Sequence, residues 1–423
     1  MQRECQEFDT YACRMDSAEL DALLTREGLE LLESLGDIAS TADVARAVSR
    51  LRAAGHSPEL VSAAVGQASL RTRAAAKFGE FASRMLFTRA GLEQATRMSV
   101  SAHHAHRMRA ARIGRVADLG CGIGGDSLAF AAVGLGVLSV DADPVTAALA
   151  AYNLAPFRSP DGPPLEVRAG QAQDIDLAGV DAVWLDPARR TAGHRETARV
   201  SASDYSPPLD WVFDLAARLP AGVKLGPGHD REALPVGDAE RGRHVETQWI
   251  SVDGSTVELV VWTGSLARPG VGRSALVLRG DAAHELTAPA DTADEPVRAL
   301  GAFVHEPEGA IIRARLIGDV ARALDAGPIA PGIAYLTGDA AATSPFVSSF
   351  RVREVLPADP KPLAKALRAR GIGTLEIKKR GVDVDPAALR KRLALKGPES
   401  ATLLLTRAGG KRLAILADRV PRG

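Results

Sequence analysis

The chain is poor in cysteine, in aromatic residues and in long apolar runs. Cys5, Cys13 and Cys121 are the only cysteines in 423 residues, so neither a disulfide framework nor a zinc-type spacing can be built from them. No stretch approaches the roughly 18 consecutive apolar residues that a membrane-spanning helix needs. The opening residues, MQRECQEFDTY, are polar and acidic, whereas a secretion signal runs basic and then apolar. These absences predict a cytoplasmic protein. His103, His104 and His106 fall within one helical turn, but only His103 and His106 have ligand spacing and no carboxylate is in step with them. No metal is expected there. Arg107, Arg109 and Arg112 beside them read as a solvated or phosphate-facing patch.

Lysine is scarce until late in the chain. Before residue 361 only Lys77 and Lys224 occur. Residues 361–423 then hold 16 Lys and Arg against 5 Asp and Glu, a net +11, which leaves −11 on the rest of a formally neutral chain. A basic tail on an acidic body points to a polyanion; the plainer reading is a solvated helix face.

What is present is a glycine-rich stretch between carboxylates, VADLGCGIGGDSLAFAAVGLGVLSVDADP, over residues 116–144. Its pattern predicts a strand ending at Asp118, a sharp turn through Gly120, Gly122, Gly124 and Gly125, and a helix capped by Asp126-Ser127. A second strand then ends at Asp141 and Asp143. In open α/β sheets ligands bind at that edge. Two cofactors fit the spacing. Gly120, Gly122 and Gly125 match a dinucleotide fingerprint, with Asp141 about 20 residues on as the ribose acid. A methyl donor such as S-adenosyl-L-methionine needs the same turn and ribose carboxylate but no pyrophosphate site. Asp118 favours this second reading, because a carboxylate repels a pyrophosphate and attracts an α-ammonium group.

The segments DLGCGIGGD (118–126), VDADP (140–144) and WLDP (184–187) resemble the class I S-adenosylmethionine-dependent methyltransferases. They are most similar to a bacterial branch with a C-terminal THUMP-like domain, related to the trimethylguanosine synthase and RNA guanine-N2 methyltransferase group. The resemblance implies an α/β protein: a Rossmann-like methyltransferase sheet, an N-terminal helical domain and a small C-terminal α/β domain. It implies that Asp118, Gly120, Gly122, Gly124, Asp141 and Asp143 hold the cofactor. Relatives carry Gly-Asp-Ala where this chain has Gly170-Gln171-Ala172, so Gln171 or Asp174 is expected to take the adenine amine. The stretch Leu92-Glu93-Gln94-Ala95-Thr96 is expected beside the cofactor.

Asp186 and Pro187 are the expected catalytic pair. Methyl transfer to an exocyclic amine needs an acceptor that turns the nitrogen lone pair toward the sulfonium methyl, and a carboxylate with a proline-held carbonyl does this by orientation. Relatives write Asp-Pro-Pro and then an aromatic; here Ala188 and Arg189 follow. Arg189 or Arg190 can stack on a base in its place. Transfer to a pyrimidine carbon is disfavoured, because it needs a downstream nucleophilic cysteine and none follows Cys121. Lys224 is expected near the same sheet edge, as a substrate or phosphate contact or as a plain surface lysine. The tail segments GIGTLEIKKRGVDVDP and ATLLLTRAGGKRLAIL are similar to the THUMP-like domain, which implies RNA binding, with Lys378, Lys379 and Arg380 as contacts.

The expected boundaries are a helical domain over 1–105, the methyltransferase domain over 106–265, a connecting β/α region over 266–348 and the THUMP-like domain over 349–423. Leucine spacing predicts helices over 16–75, with Ser57-Pro58 opening one of them. Residues 245–250 and 257–262 predict an antiparallel pair turning at Asp253-Gly254. Residues 263–295 carry little pattern and read as a β-rich connection, and one helix is expected from about Ile311 to Leu324. The tail reads strand, helix, strand, helix, strand, strand.

Overall fold

The computed structural model describes residues 15–189, 205–238 and 242–421. Cys5, Cys13 and Arg190 lie outside the described residues. The chain divides into two compact units, Met1–Lys224 with Trp262–Leu266, and Leu225–Val261 with Ala267–Gly423.

The first unit opens with helices α1 (Ser17–Leu23), α2 (Arg26–Glu33), α3 (Thr41–Ala53) and α4 (Pro58–Phe78). Each begins where a side chain takes up orphan backbone N–H groups. Asp16 with Glu19 and Ser40 with Asp43 form capping boxes, and Ser57 caps α4 with Pro58 in its first turn. Leu20, Leu23, Leu32, Leu51 and Val61 are buried together, while Leu24 is exposed. Helices α5 (Arg89–Gln94) and α6 (Met98–Ala110) follow.

Five strands then form a parallel array in the order β7-β4-β1-β2-β3: β1 (Arg115–Leu119), β2 (Gly136–Asp141), β3 (Leu165–Ala169), β4 (Ala182–Leu185) and β7 (Ala221–Leu225). The short β5 (Ala188–Arg189) and β6 (Tyr205–Ser206) pair antiparallel between β4 and β7 in sequence. Helices α7 (Gly125–Ala132), α8 (Pro144–Leu154) and α9 (Leu209–Ala216) connect the array. The central strands β1, β2 and β4 are almost wholly buried, and β4 (AVWL) reads as a continuous apolar run, as parallel strands covered on both faces do. The chain winds outward from β1 to β3 and restarts at β4, so the carboxyl ends of β1 and β4 flank the point where winding reverses. Ligands of open α/β sheets bind at such points.

Strands β8 (Val245–Val252), in the second unit, and β9 (Ser255–Thr263), in the second unit as far as Val261, are neighbours, joined by Asp253-Gly254 with both φ values positive, the hairpin turn geometry. Strand β10 (Arg273–Arg279) pairs parallel with β8 and antiparallel with β11 (Ala282–Ala288). A seven-stranded sheet follows, in the order β13-β14-β12-β15-β18-β17-β16. Its strands are β12 (Phe303–Pro307), β13 (Gly327–Pro328), β14 (Leu336–Gly338), β15 (Val347–Leu356), β16 (Ile372–Lys379), β17 (Glu399–Ala408) and β18 (Lys411–Arg419). Helices α12 (Pro360–Ala369) and α13 (Pro386–Leu393) bury Leu363, Leu367, Leu389 and Leu393 against it.

One expectation is corrected. The single helix over 311–324 is two, α10 (Gly309–Arg313) and α11 (Ile317–Ala323), because Arg315 adopts φ +60° between them. Residues 263–295 contain β10 and β11; β11 is mostly exposed and so carries no apolar alternation to read. No helix among the described residues is long and apolar enough to cross a membrane.

Candidate active site

The loop after β1 is anchored from below and crowded from one side. Gly120 N and Cys121 N both donate to Val140 O on β2, each at 2.9 Å. At Gly120, with φ +95°, a Cβ would stand 3.0 Å from Asp186 O, so only glycine lets this loop and the Asp-Pro turn approach each other. Gly122, φ +54°, has nothing within 4 Å of its Cβ direction; the loop opens there. Gly124, in the left-handed region, is the N-cap of α7.

Asp141 faces this opening from the end of β2. Its Oδ2 accepts from Gly122 N at 3.0 Å and its Oδ1 from Asp143 N at 2.9 Å. Burial pushes its carboxyl above the usual range against those hydrogen bonds. Asp143 is exposed and caps α8, accepting from Thr146 N and Thr146 Oγ1. Gln171 and Asp174 lie exposed just past β3, where Gly170 N donates to Asp141 O.

Asp118 and Asp126 sit beneath the loop. Asp118 is 1 % exposed and accepts from Ser127 Oγ at 2.5 Å; burial first, then the charge of Asp126, pushes its carboxyl well up. Asp126 does not cap α7 as its position suggests. Its Oδ2 accepts from Thr96 Oγ1 at 3.0 Å, and its Oδ1 lies 2.9 Å from His104 Nδ1. Burial raises its pKa, but the hydrogen bond and charge of His104 outweigh this and hold it at about 2.

The 103–106 histidines therefore divide. His104 is buried against Trp184, ring centroids 4.4 Å apart, while His106 is exposed. Arg107 is no phosphate patch: it lies over Trp262 and donates to Leu266 O. Sequence reading missed both His104 and Lys77. Lys77 Nζ donates to the carbonyls of Leu92, Glu93 and Ala95 at 2.7–2.9 Å, fastening the LEQAT segment whose Thr96 reaches Asp126. Asn153 holds the loop from the other side, donating to Ile123 O and Leu86 O.

Asp186 stands at the end of β4 with its side chain 33 % exposed, and Lys224, at the end of β7, meets its Oδ2 at 2.5 Å. The Lys224 side chain is 13 % exposed, so this is an ion pair at the sheet edge and not a surface lysine. Pro187 is buried. Arg189 pairs in β5 with Tyr205 of β6. In the second unit, Lys378 and Arg380 both pair with Glu306 and lie over Phe350 and Tyr335 respectively; Lys379 alone of the three is exposed.

The residues fit S-adenosylmethionine on the strength of the opening above Gly122 and the half-buried Asp141 carboxylate that borders it. Comparison with known proteins agrees. Residues 347–419 match the THUMP domain-like family, and residues 16–74 match a domain of unknown function. Two Mycobacterium tuberculosis proteins, from strains CDC 1551 and H37Rv, are each named as an uncharacterised S-adenosylmethionine-dependent methyltransferase. Both are 34% identical to this chain over 363 residues, covering 84% of it and 94% of their own length. The crystal structure of a methyltransferase candidate from Porphyromonas gingivalis W83 matches with a TM-score of 0.72 at 22% identity, over 96% of this chain and 99% of that one, and so shares the fold. The chain belongs to the S-adenosylmethionine-dependent methyltransferases.

Proposed function

We propose that this methyltransferase acts on RNA, transferring the methyl group directly to a base nitrogen. The observation that carries the reading is the Asp186-Pro187 turn, set against the glycine-rich loop at Gly120 with its carboxylate held by Lys224. When bound, S-adenosylmethionine supplies an electrophilic methyl group on a sulfonium. Asp141 accepts from the ribose hydroxyls, and Gln171 or Asp174 accepts from the adenine amine. Asp143 presents its own amide to Asp141 and fixes that carboxylate. Asp118, from beneath, holds Ser127 and with it the first turn of α7.

Asp186 accepts an N–H of the acceptor amine, so that the nitrogen lone pair faces the methyl carbon; Pro187 fixes the neighbouring backbone. Lys224 keeps the carboxylate in that orientation. Arg189 or Arg190 contributes stacking on the base. The match to a THUMP-like family and the basic tail support RNA as the substrate. The test is transfer of labelled methyl from S-adenosylmethionine onto total RNA from a strain lacking the gene, with DNA and protein fractions alongside. Label enters RNA, and Asp186→Ala abolishes it while cofactor affinity stays within about threefold, since orientation and not cofactor binding is lost. Label in DNA or protein alone, or unchanged RNA labelling by the variant, refutes the reading.

A further inference from the structure

The second unit holds a cavity of about 350 Å³ lined by Arg231, Arg243, Arg268 and Arg273, with Pro235 and Val236 on its wall. Arg268 is engaged on every guanidinium nitrogen, with Glu246 and Glu285, and closes one side. The other side is positively charged. There a single carboxylate, Asp291, serves three guanidiniums: Arg273 at 2.8 Å, Arg231 at 3.2 Å and Arg315 at 3.9 Å. Arg315 does not line the cavity, so among the described residues there Asp291 leaves one positive charge over between Arg231 and Arg273. Arg231 Nη1 is moreover buried with no hydrogen-bond acceptor among the described residues, a costly state for a charged donor. Arg243 stands 57 % exposed at 3.6 Å from Asp238.

We propose that this cavity binds a terminal phosphate monoester on a ligand of mononucleotide size. A phosphate monoester carries about −1.5 to −2 charges at neutral pH and three acceptor oxygens, which meets the surplus charge, the exposed Arg243 at 3.6 Å from its carboxylate, and the unsatisfied Arg231 donor. A carboxylate or a backbone phosphodiester offers only two free oxygens against the three of a monoester. The cavity is larger than inorganic phosphate needs and falls at the small end of organic-ligand sites. Val236, 88 % exposed, and Pro235 offer apolar surface for the rest of the ligand. Two sources carry this chemistry, a free mononucleotide and the phosphorylated end of an RNA strand. The site does not depend on methyl transfer.

The test is equilibrium binding to the full chain of adenosine monophosphate, adenosine, inorganic phosphate, and a short oligoribonucleotide with and without a 5′-phosphate. Arg231→Gln and Arg243→Gln are the variants. Asp291 keeps two arginines in the first, and Arg243 is exposed enough for the second to fold. The phosphorylated probe binds about tenfold or more tightly than its dephosphorylated partner, and each variant erases most of that preference, as loss of a charge-assisted hydrogen bond does. Preference in the mononucleotide pair assigns a small-molecule ligand; preference in the oligonucleotide pair alone assigns a strand end. No phosphate preference in either pair, or an unchanged preference in both variants, overturns the proposal. Failure of methyl transfer to RNA with this preference intact refutes only the reading of the preceding section.

Discussion

Asp118 and Asp126 are both buried in one small volume, and they respond to pH in opposite senses. The native state holds Asp126 at about 2 through His104, so its contribution to stability is present above its unfolded pKa near 4 and is lost as pH falls toward 2. Asp118 is raised by burial, so the native state favours its protonated form and stability falls as pH rises above that same unfolded value. Asp118→Asn keeps an acceptor for Ser127 and removes the charge. Its unfolding free energy should exceed that of the parent above about pH 5, by a margin that grows with pH and reaches on the order of 1 kcal/mol, a modest return for neutralising a desolvated carboxylate. Affinity for S-adenosylmethionine should change less than in Asp141→Ala, which strips the carboxylate bordering the opening. Calorimetric titration of both variants checks the ordering. The glycines, Asp141 and the Asp186-Pro187 turn were legible because each stands within a few residues of its strand end. The partners of Asp126 were not, since Thr96 and His104 lie 30 and 22 residues away along the chain. Lys224 lies 38 residues from Asp186, and no local spacing announces such a pair.

At the scale of elements, most helices and buried strands were visible as periodicity and caps, and the tail's alternation of strand and helix appears in its expected order. What failed was local conformation overriding pattern. Apolar spacing runs on through residues 311–324, yet Arg315 turns left-handed, and Ala310, Ile311, Val320 and Ala321 are buried on either side of the break. A non-glycine residue at that φ is strained. Arg315→Gly should therefore raise stability by about 0.5–1 kcal/mol, read as a higher midpoint in urea with an unchanged slope. A lower midpoint would mean that the Arg315–Asp291 contact matters more than the backbone.

The whole molecule separates its charges along the chain. Lys361, Lys365, Lys391, Arg392, Lys411 and Arg412 are all exposed on the basic tail, while Lys378 and Arg380 are turned to Glu306. If RNA meets this surface, affinity should fall steeply between about 50 and 200 mM salt. Lys411→Ala with Arg412→Ala should lower affinity and flatten the salt slope by about two counterions, whereas Lys378→Ala should act through stability; filter binding across salt, beside thermal melts, separates the two. The three carbonyls gathered by Lys77 have a different consequence. The loop that carries the cofactor signature is held by Lys77 through the LEQAT segment, by Thr96 and by Asn153, none of which belongs to it. Competence to receive a cofactor is thus a property of the assembled unit. The nine residues 118–126 lifted onto another strand would keep their spelling and lose their shape, and a matching string elsewhere is no receptor until its distant fastenings are found as well.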